Sequence, residues 1–331
     1  MLSIHGVGHF HPENILDNSF LEQLAIGVDE QWILERVGIE QRRTVLSLEY
    51  IRQTRNRDPR AAAEASHYTN AETGARAARM AMARAGIQPA DIGLVIAGGC
   101  SPQFSIPSEA CWIAAELGIQ APAFDLHAAC SSFALQLHFL NTMRPETLPE
   151  FILLVNPENT TRTVDYADRG TAVLWGDGTA AAVVSTKILA PLQVTSSTYA
   201  TDPTGWNKVM IPRGGHFQQE GRAVQTFAIK KTVETVNALR QHAATSAEQL
   251  FFIGHQANLR MLQSVSHKIG IRDERHLYNV NRYGNCGAAG APSVLSEYWD
   301  CLTPGDTVAL AVVGSGLAWG GMVLQHRSHC C

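Results

Sequence analysis

The stretch FDLHAACSSFALQLHFL, Phe124 to Leu140, passes from a short apolar run through small residues into an apolar pattern of helical period. A single thiol, Cys130, stands at the changeover. The same transition recurs along the chain. Residues 69–86, TNAETGARAARMAMARAG, predict a capped Ala-rich helix stopped by Gly86, and a buried strand is expected from about Ile92 to Ala97. PSEACWIAAELGI (107–119) predicts a helix, APAFDLHA (121–128) a short strand, CSSFALQLHFLNTM (130–143) a helix and EFILLVN (150–156) a strand. Alternation of this kind implies crossover connections and a largely parallel sheet covered by helices.

The order then repeats. IKKTVETVNALRQHAATSAEQLFFIGHQ (229–256) is again helix then strand, and GNCGAAGAPSVLSEYWDCL (284–302) is again a small-residue turn opening a helix. VLWGDGTAAAVVST (173–186) and VVGSGLAWGGMVLQ (312–325) close the two halves, each expected as a Gly-rich turn between apolar strands. Matching elements lie roughly 140 to 160 positions apart, the mark of an internal duplication. Two halves are expected, 1–187 with Cys130 and 188–331 with His255 and Asn285. TSSTYATDPTGWNKVMIPRGGHFQQEG (195–221) has the composition of an irregular connection between them.

The 331 residues are 45% hydrophobic with a formal charge of -4, so a large core is available and nucleic-acid or anionic membrane partners have no general electrostatic basis. The opening residues lack the apolar core of a signal peptide, and no run reaches the length of a membrane span. Seven cysteines without a compact disulfide spacing suggest reduced thiols in a cytoplasm. No metal site is expected, because the ligand spacings are missing and the terminal HRSHCC (326–331) is isolated. Residues 42–68 concentrate Arg42, Arg43, Arg52, Arg55, Arg57 and Arg60, which form either a solvated helix face or a surface for phosphate or an acidic carrier protein.

Cys130 falls at the expected first turn of a helix, where free N–H groups and the helix dipole can lower a thiol pKa to about 3.5 to 7.5. His255 follows the strand LFFIG, and Asn285 sits between glycines in NRYGNCGAAGAP. The three lie at the carboxyl ends of equivalent strands, which places them at one face of the sheet.

These motifs together resemble the thiolase-fold ketoacyl synthase III family. The matching stretches are DEQWILERVGIEQRR, FDLHAACSSF, DRGTAVLWGDGTAAAVV, GHQANLRML, GNCGAAGAPSVL and GSGLAWGG, spread over the whole chain. The resemblance implies a duplicated α/β thiolase fold, layered α-β-α-β-α with two mostly parallel mixed sheets. It implies Cys130 as the acyl-accepting nucleophile, with His255 and Asn285 donating to the thioester oxygen of the second substrate. The backbone N–H groups of Cys130 and Ser315 would form the first oxyanion hole. Trp32 and Arg169 would sandwich the adenine of coenzyme A, Arg36 would meet its phosphates, Asn258 the pantetheine amide, and Arg260 an acyl-carrier protein. No resident cofactor is implied, since acyl groups arrive as coenzyme A or phosphopantetheinyl carrier-protein thioesters. A homodimer is implied, with Ile106 reaching into the partner's acyl tunnel and Val313 and Leu317 lining the tunnel.

Departures bear on substrate choice. Ile106 and Val313 replace bulky Phe residues, Gly254 replaces a Pro before the His, and the Arg-rich stretch is an insertion. SLEYIRQTRNRDPRAA, GVGHFHP and AGGCSP look most like the ketosynthase/cyclases of bacterial dialkylresorcinol and stilbene biosynthesis. Such enzymes join a β-ketoacyl thioester to an α,β-unsaturated acyl thioester and close a cyclohexane-1,3-dione ring. The alternatives are a housekeeping synthase using malonyl carrier protein, an α-pyrone-forming chain-joining ketosynthase, an acyltransferase to an alcohol or amine, and an inactive partner subunit. A papain-like protease shares Cys, His and Asn but not the sequence around the Cys.

Overall fold

The computed structural model describes residues 1–243 and 250–328. Cys330 and Cys331, in the terminal run considered as a metal site, lie outside the described residues. The first half contributes strands β1 (Ser3–Phe10), β2 (Ile92–Ala97), β3 (Ala123–Asp125), β4 (Phe151–Glu158) and β5 (Gly178–Ser185). The second contributes β6 (Leu192–Thr201), β7 (Leu250–Gly254), β8 (His276–Leu277), β9 (Thr307–Gly314) and β10 (Ala318–His326). Their order across the sheet is β8-β7-β9-β10-β6-β1-β5-β4-β2-β3. Adding five to each strand number of the first half gives the order of the second, read from the centre outward, so the duplication is a property of the topology.

Each half has two parallel pairings, made by its second strand, and two antiparallel ones. The two half-sheets expected from the sequence meet through a short antiparallel pairing, Ser3 with Gln193 and Ile4 with Leu192, and so run on as one ten-stranded sheet.

The helices that matter here are α1 (Glu30–Arg36), α2 (Leu48–Thr54), α3 (Pro59–Ala65), α4 (Asn70–Ala85), α5 (Glu109–Leu117), α6 (Ser132–Thr142), α7 (Gly221–Ala243), α8 (Leu259–Ile269) and α9 (Gly290–Glu297). Side chains of α6 and α9, including Phe133, Leu137 and Val294, share one buried layer with Ile4, Ile152 and Leu310 from the two half-sheets. Ala75, Ala78 and Ile113 of α4 and α5 pack with Val155 and Val183 on the outer face of the first half. Val236, Leu262 and Val265 of α7 and α8 pack with Phe252 and Ala309 outside the second. Three helical layers therefore alternate with the two half-sheets. The inner helices α6 and α9 each follow a turn that carries a reactive side chain.

α4 begins as expected: Thr69 and Glu72 close a capping box, and Gly86 ends the helix at φ 70°. It lies so close to β1 that a Cβ on Gly8 would sit 2.1 Å from the Ala77 carbonyl oxygen. The glycines of β1 and the alanines of α4 are one packing solution.

Three expectations are corrected. Thr195–Thr201 is not an irregular connection but the greater part of β6, paired along its length with β10. Its Ser and Thr residues suit a half-buried strand, which composition alone reads as a loop. The segment before the Gly-rich turn of the first half forms no strand, and Trp175 makes one isolated bridge to Asn285. The Arg cluster also divides: Arg42 is fully buried and donates to the Val173 carbonyl and to Asn18, while Arg43 donates to the Pro12 and Glu13 carbonyls. Neither belongs to a free basic surface.

Candidate active site

Cys130 occupies a 3₁₀ turn, Ala129–Ser131, immediately before α6. Ala129 adopts φ 47°, a left-handed conformation that costs a non-glycine residue on the order of 1–2 kcal/mol. Hydroxyls hold the turn in place: Ser131 Oγ donates to the Ala128 carbonyl at 2.7 Å, and Ser132 Oγ to the Ala129 carbonyl at 2.7 Å. The Cys130 thiol is buried, and its sulfur lies 3.3 Å from that of Cys100.

Its pKa is lowered to about 5, first by a hydrogen bond from Cys100 and then by the neighbouring His255, against the opposing effect of burial. The cause differs in part from the expected helix dipole, because the α-helix itself starts only at Ser132. The Cys100 thiol is pushed up by the Cys130 sulfur and by burial. Behind both, Glu158 at the end of β4 is fully buried and accepts from Cys100 N at 2.9 Å, Ala288 N at 2.8 Å and Thr160 Oγ1 at 2.9 Å. Burial and the Cys130 charge push its carboxyl up to about 7.

His255 follows β7 by one residue and is buried, with its Nδ1 unpartnered among the described residues. Gly254, one of the departures, has a packing reason: a Cβ there would lie 2.4 Å from Leu262 Cδ2. Asn285 follows Gly284, whose φ of 71° makes the sharp turn. Asn285 N donates to the Leu174 carbonyl at 2.8 Å, and its Oδ1 accepts from Gly287 N at 3.0 Å. With Oδ1 engaged, the side-chain NH₂ is the group left to donate into the site.

Cys130, His255, Asn285 and Ser315 line one cavity of about 530 Å³. Ser315 is brought there by Gly314, where a Cβ would lie 2.9 Å from Ser131 N. Val313 and Leu317 also line the cavity, with Trp175, Phe217 and Phe227. Trp32, Arg36 and Arg169 stand on its wall, both guanidinium groups facing the Trp32 ring at 5.4 and 5.8 Å from the centroid. Asp29 fixes Trp32 by capping α1, accepting from its backbone N–H at 2.7 Å. Asn258 lines the cavity and caps α8, its Oδ1 accepting from Met261 N at 2.7 Å.

The residues expected to meet a carrier protein and the partner subunit lie outside this cavity. Arg260 is exposed beside α1 and donates to the Leu34 carbonyl at 3.2 and 3.0 Å. Ile106 does not line the chain's own cavity, and its side chain is 86% exposed. Cys100, Glu158, Trp175, Phe217 and Arg222 are site residues that sequence reasoning missed. Cys100 and Glu158 could have been found, since both follow from the rule that located Cys130: they sit at the carboxyl ends of β2 and β4, the two strands that follow β3 inward from the edge of the sheet.

A buried, acidified thiol beside side-chain and backbone donors, at the end of a channel flanked by Trp and Arg, can accept an acyl group and stabilise charge on a thioester oxygen. The family model for 3-oxoacyl-(acyl-carrier-protein) synthase III matches residues 124–203, and the model for the C-terminal part of the same synthase matches 239–326. The chain is 33% identical to the β-ketoacyl-(acyl-carrier-protein) synthase III of Syntrophomonas wolfei, over 98% of this chain and 97% of that protein. It is 31% identical to the synthase of the same name from a Sulfurovum species, over 97% and 95%. The crystal structure of 3-oxoacyl-(acyl-carrier-protein) synthase III from Aquifex aeolicus superposes with a TM-score of 0.87 at 27% identity, covering 98% of this chain and 100% of that one. Full-length kinship at this level, on a duplicated sheet that gathers Cys130, His255 and Asn285 into one cavity, makes this chain a member of the ketoacyl synthase III family of thiolase-fold condensing enzymes.

Proposed function

We propose that this enzyme condenses two thioesters, carrying the first acyl group on Cys130 and extending it with a malonyl carrier-protein thioester. The observation that supports this best is the single cavity that joins an acidified thiol to donors from both halves of the fold. In the first step the Cys130 thiolate attacks the thioester carbonyl of an acyl-coenzyme A. The N–H groups of Cys130 and Ser315 receive the oxyanion, the coenzyme A thiolate departs, and the acyl chain rests against Val313 and Leu317. Trp32 and Arg169 would flank the adenine, Arg36 the phosphates, and Asn258 the pantetheine amide. In the second step the carrier protein docks by Arg260, and His255 and Asn285 donate to the malonyl thioester oxygen. Loss of CO₂ leaves an enolate, its carbon attacks the acyl carbon, and the C–S bond electrons return to Cys130. Similar proteins are called β-ketoacyl-(acyl-carrier-protein) synthase III, which supports a carrier-protein thioester in this step.

A second reading keeps the same residues and closes a ring. Here a β-ketoacyl thioester, already acidic between its carbonyls, forms two carbon–carbon bonds to an α,β-unsaturated acyl group held on Cys130, one by addition to its alkene and one by attack on its acyl carbon with the Cys130 thiolate leaving, to give a cyclohexane-1,3-dione. One observation favours it. The Arg-rich insertion forms α2 and α3 and packs behind the cavity wall: the Asn56 carbonyl lies 2.6 Å from His216 Nε2, and the adjacent Phe217 lines the cavity. A wall rebuilt from behind, with Val313 inside it, suits a larger or second chain.

The test supplies purified protein with a short acyl-coenzyme A plus malonyl carrier protein and, separately, with a β-ketoacyl thioester plus a 2,3-unsaturated acyl thioester. Mass spectrometry should find a linear β-ketoacyl carrier protein in the first reaction. A cyclic dione from the second, with little linear product from the first, would replace the leading reading by the ring-forming one. Cys130→Ala should abolish the acyl mass on the intact protein. His255→Ala should keep that mass yet lose about 100-fold or more in carbon–carbon bond formation, the scale of losing one oxyanion donor.

A further inference from the structure

Condensation as described gives Cys100 no part, yet its sulfur lies 3.3 Å from that of Cys130. The chain reaches that position through two glycines with no room to spare. A Cβ on Gly98 would lie 2.4 Å from the Leu126 carbonyl oxygen, and one on Gly99 would lie 3.0 Å from the Pro157 carbonyl oxygen. Cys100 is then pinned from behind, its backbone N–H donating to Glu158 Oε1 at 2.9 Å. On another side, a Cβ on Gly287 would come within 3.1 Å of its sulfur. A thiol so hemmed in has two acceptors for its hydrogen, the Glu158 carboxyl behind it and the Cys130 sulfur before it.

We propose that Cys100 is a positioning residue for the nucleophile, its S–H donating to the Cys130 thiolate and holding that sulfur charged and aimed before attack. The inference rests on Cys130 being the acyl acceptor. It follows that the Cys100 proton stays in place through the cycle. On acylation the new C–S bond takes up the Cys130 electron pair and the thioester's own thiolate leaves. On condensation the C–S bond breaks, the pair returns to Cys130, and the Cys100 S–H meets it again. Cys100 thus favours Cys130 both as nucleophile and as leaving group.

The titratable groups facing Cys130 are Cys100 from the end of β2, His255 from the end of β7 and Glu158 from the end of β4. His127 reaches the same β2 end, near the Gly99 N–H at 3.3 Å. Cys100 and His255 both favour the thiolate, whereas ionised Glu158 opposes it by charge. Removing Cys100 leaves His255 and the Cys130 backbone N–H to act against burial and Glu158.

The experiment measures the rate of Cys130 alkylation by iodoacetamide against pH, under a phosphine reductant, with the labelled peptide mapped by mass. Wild type, Cys100→Ala and Cys100→Ser are compared, with thermal melts to establish folding. The Ala variant should shift the alkylation curve upward by about one pH unit, the scale of a weak hydrogen bond to a charged group, and the Ser variant should recover most of that shift. Product formation should fall about twofold in the Ala variant at pH 6 and about tenfold near pH 4, and recover toward pH 9. An Ala profile superimposable on wild type would overturn the proposal, as would equal shifts in the Ala and Ser variants, which would place the effect in packing. Should the Ala variant not fold, Cys100→Val, which fills the space without a donor, takes its place. Labelling that maps away from Cys130 in wild type, with acylation surviving Cys130→Ala, would instead defeat the nucleophile assignment.

Discussion

Two buried groups at the site are displaced in opposite senses, with opposite consequences for stability. Glu158 stands at about 7 in the folded protein, against about 4.3 in the unfolded chain. Between those values the folded protein keeps a proton that the unfolded chain has lost. Its contribution is therefore complete below about 4.3 and is lost as pH rises through 7. Cys130, held down at about 5, contributes in the other direction: its share is present above the ordinary thiol value and is lost as pH falls through 5. Glu158→Gln should isolate the first effect. Oε1 of the Gln can still accept from Cys100 N and Ala288 N, and its amide can donate to Thr160 Oγ1, so the packing is retained. Melting temperature should fall less between pH 5 and pH 8 in this variant than in wild type, as measured by differential scanning fluorimetry. Parallel curves would mean that Glu158 is ionised throughout.

At the scale of elements, turns do much of the positioning, and they are where the sequence was least legible. Cys130 and His255 could be placed because each follows an apolar run whose end is marked by small residues, and Asn285 because it sits between glycines. Cys100 and Glu158 end runs of the same kind and were passed over because neither opens a helix. β6 was hidden by its Ser and Thr, and the burial of Arg42 beside α2 by a charge pattern that reads as solvated surface. Asn258 was given one role from resemblance and has a second in the fold as the cap of α8. Two substitutions separate these roles. Asn258→Asp keeps an oxygen for Met261 N but lacks the NH₂, so it should leave the melting temperature nearly unchanged while raising the KM for the acyl thioester. Asn258→Ala should also cost about 1 kcal/mol of stability, the usual loss for a missing N-cap. Equal KM values in the Asp variant and wild type would leave Asn258 a cap alone.

At the scale of the whole molecule, the sheet ends differently on its two sides. β3, three residues long, forms one outer edge, and the exposed apolar side chains Phe124, at 41%, Ile106, at 86%, and Phe104, at 48%, lie on it or on the loop that precedes α5. A bare strand edge beside apolar side chains favours pairing with a second copy, because exposed backbone N–H and C=O groups and apolar area are satisfied together. A homodimer across β3 is therefore expected, with Ile106 of one copy entering the other's site. Sedimentation velocity should find a dimer at micromolar concentration. Ile106→Glu should weaken it by at least about tenfold in dissociation constant, since a buried charge would have to be desolvated without a partner. The length dependence of turnover carries the second half of the expectation. Ile106→Trp should slow long acyl donors more than short ones if the residue closes the partner's tunnel, whereas uniform slowing would confine Ile106 to the interface and leave Val313 and Leu317 to set chain length.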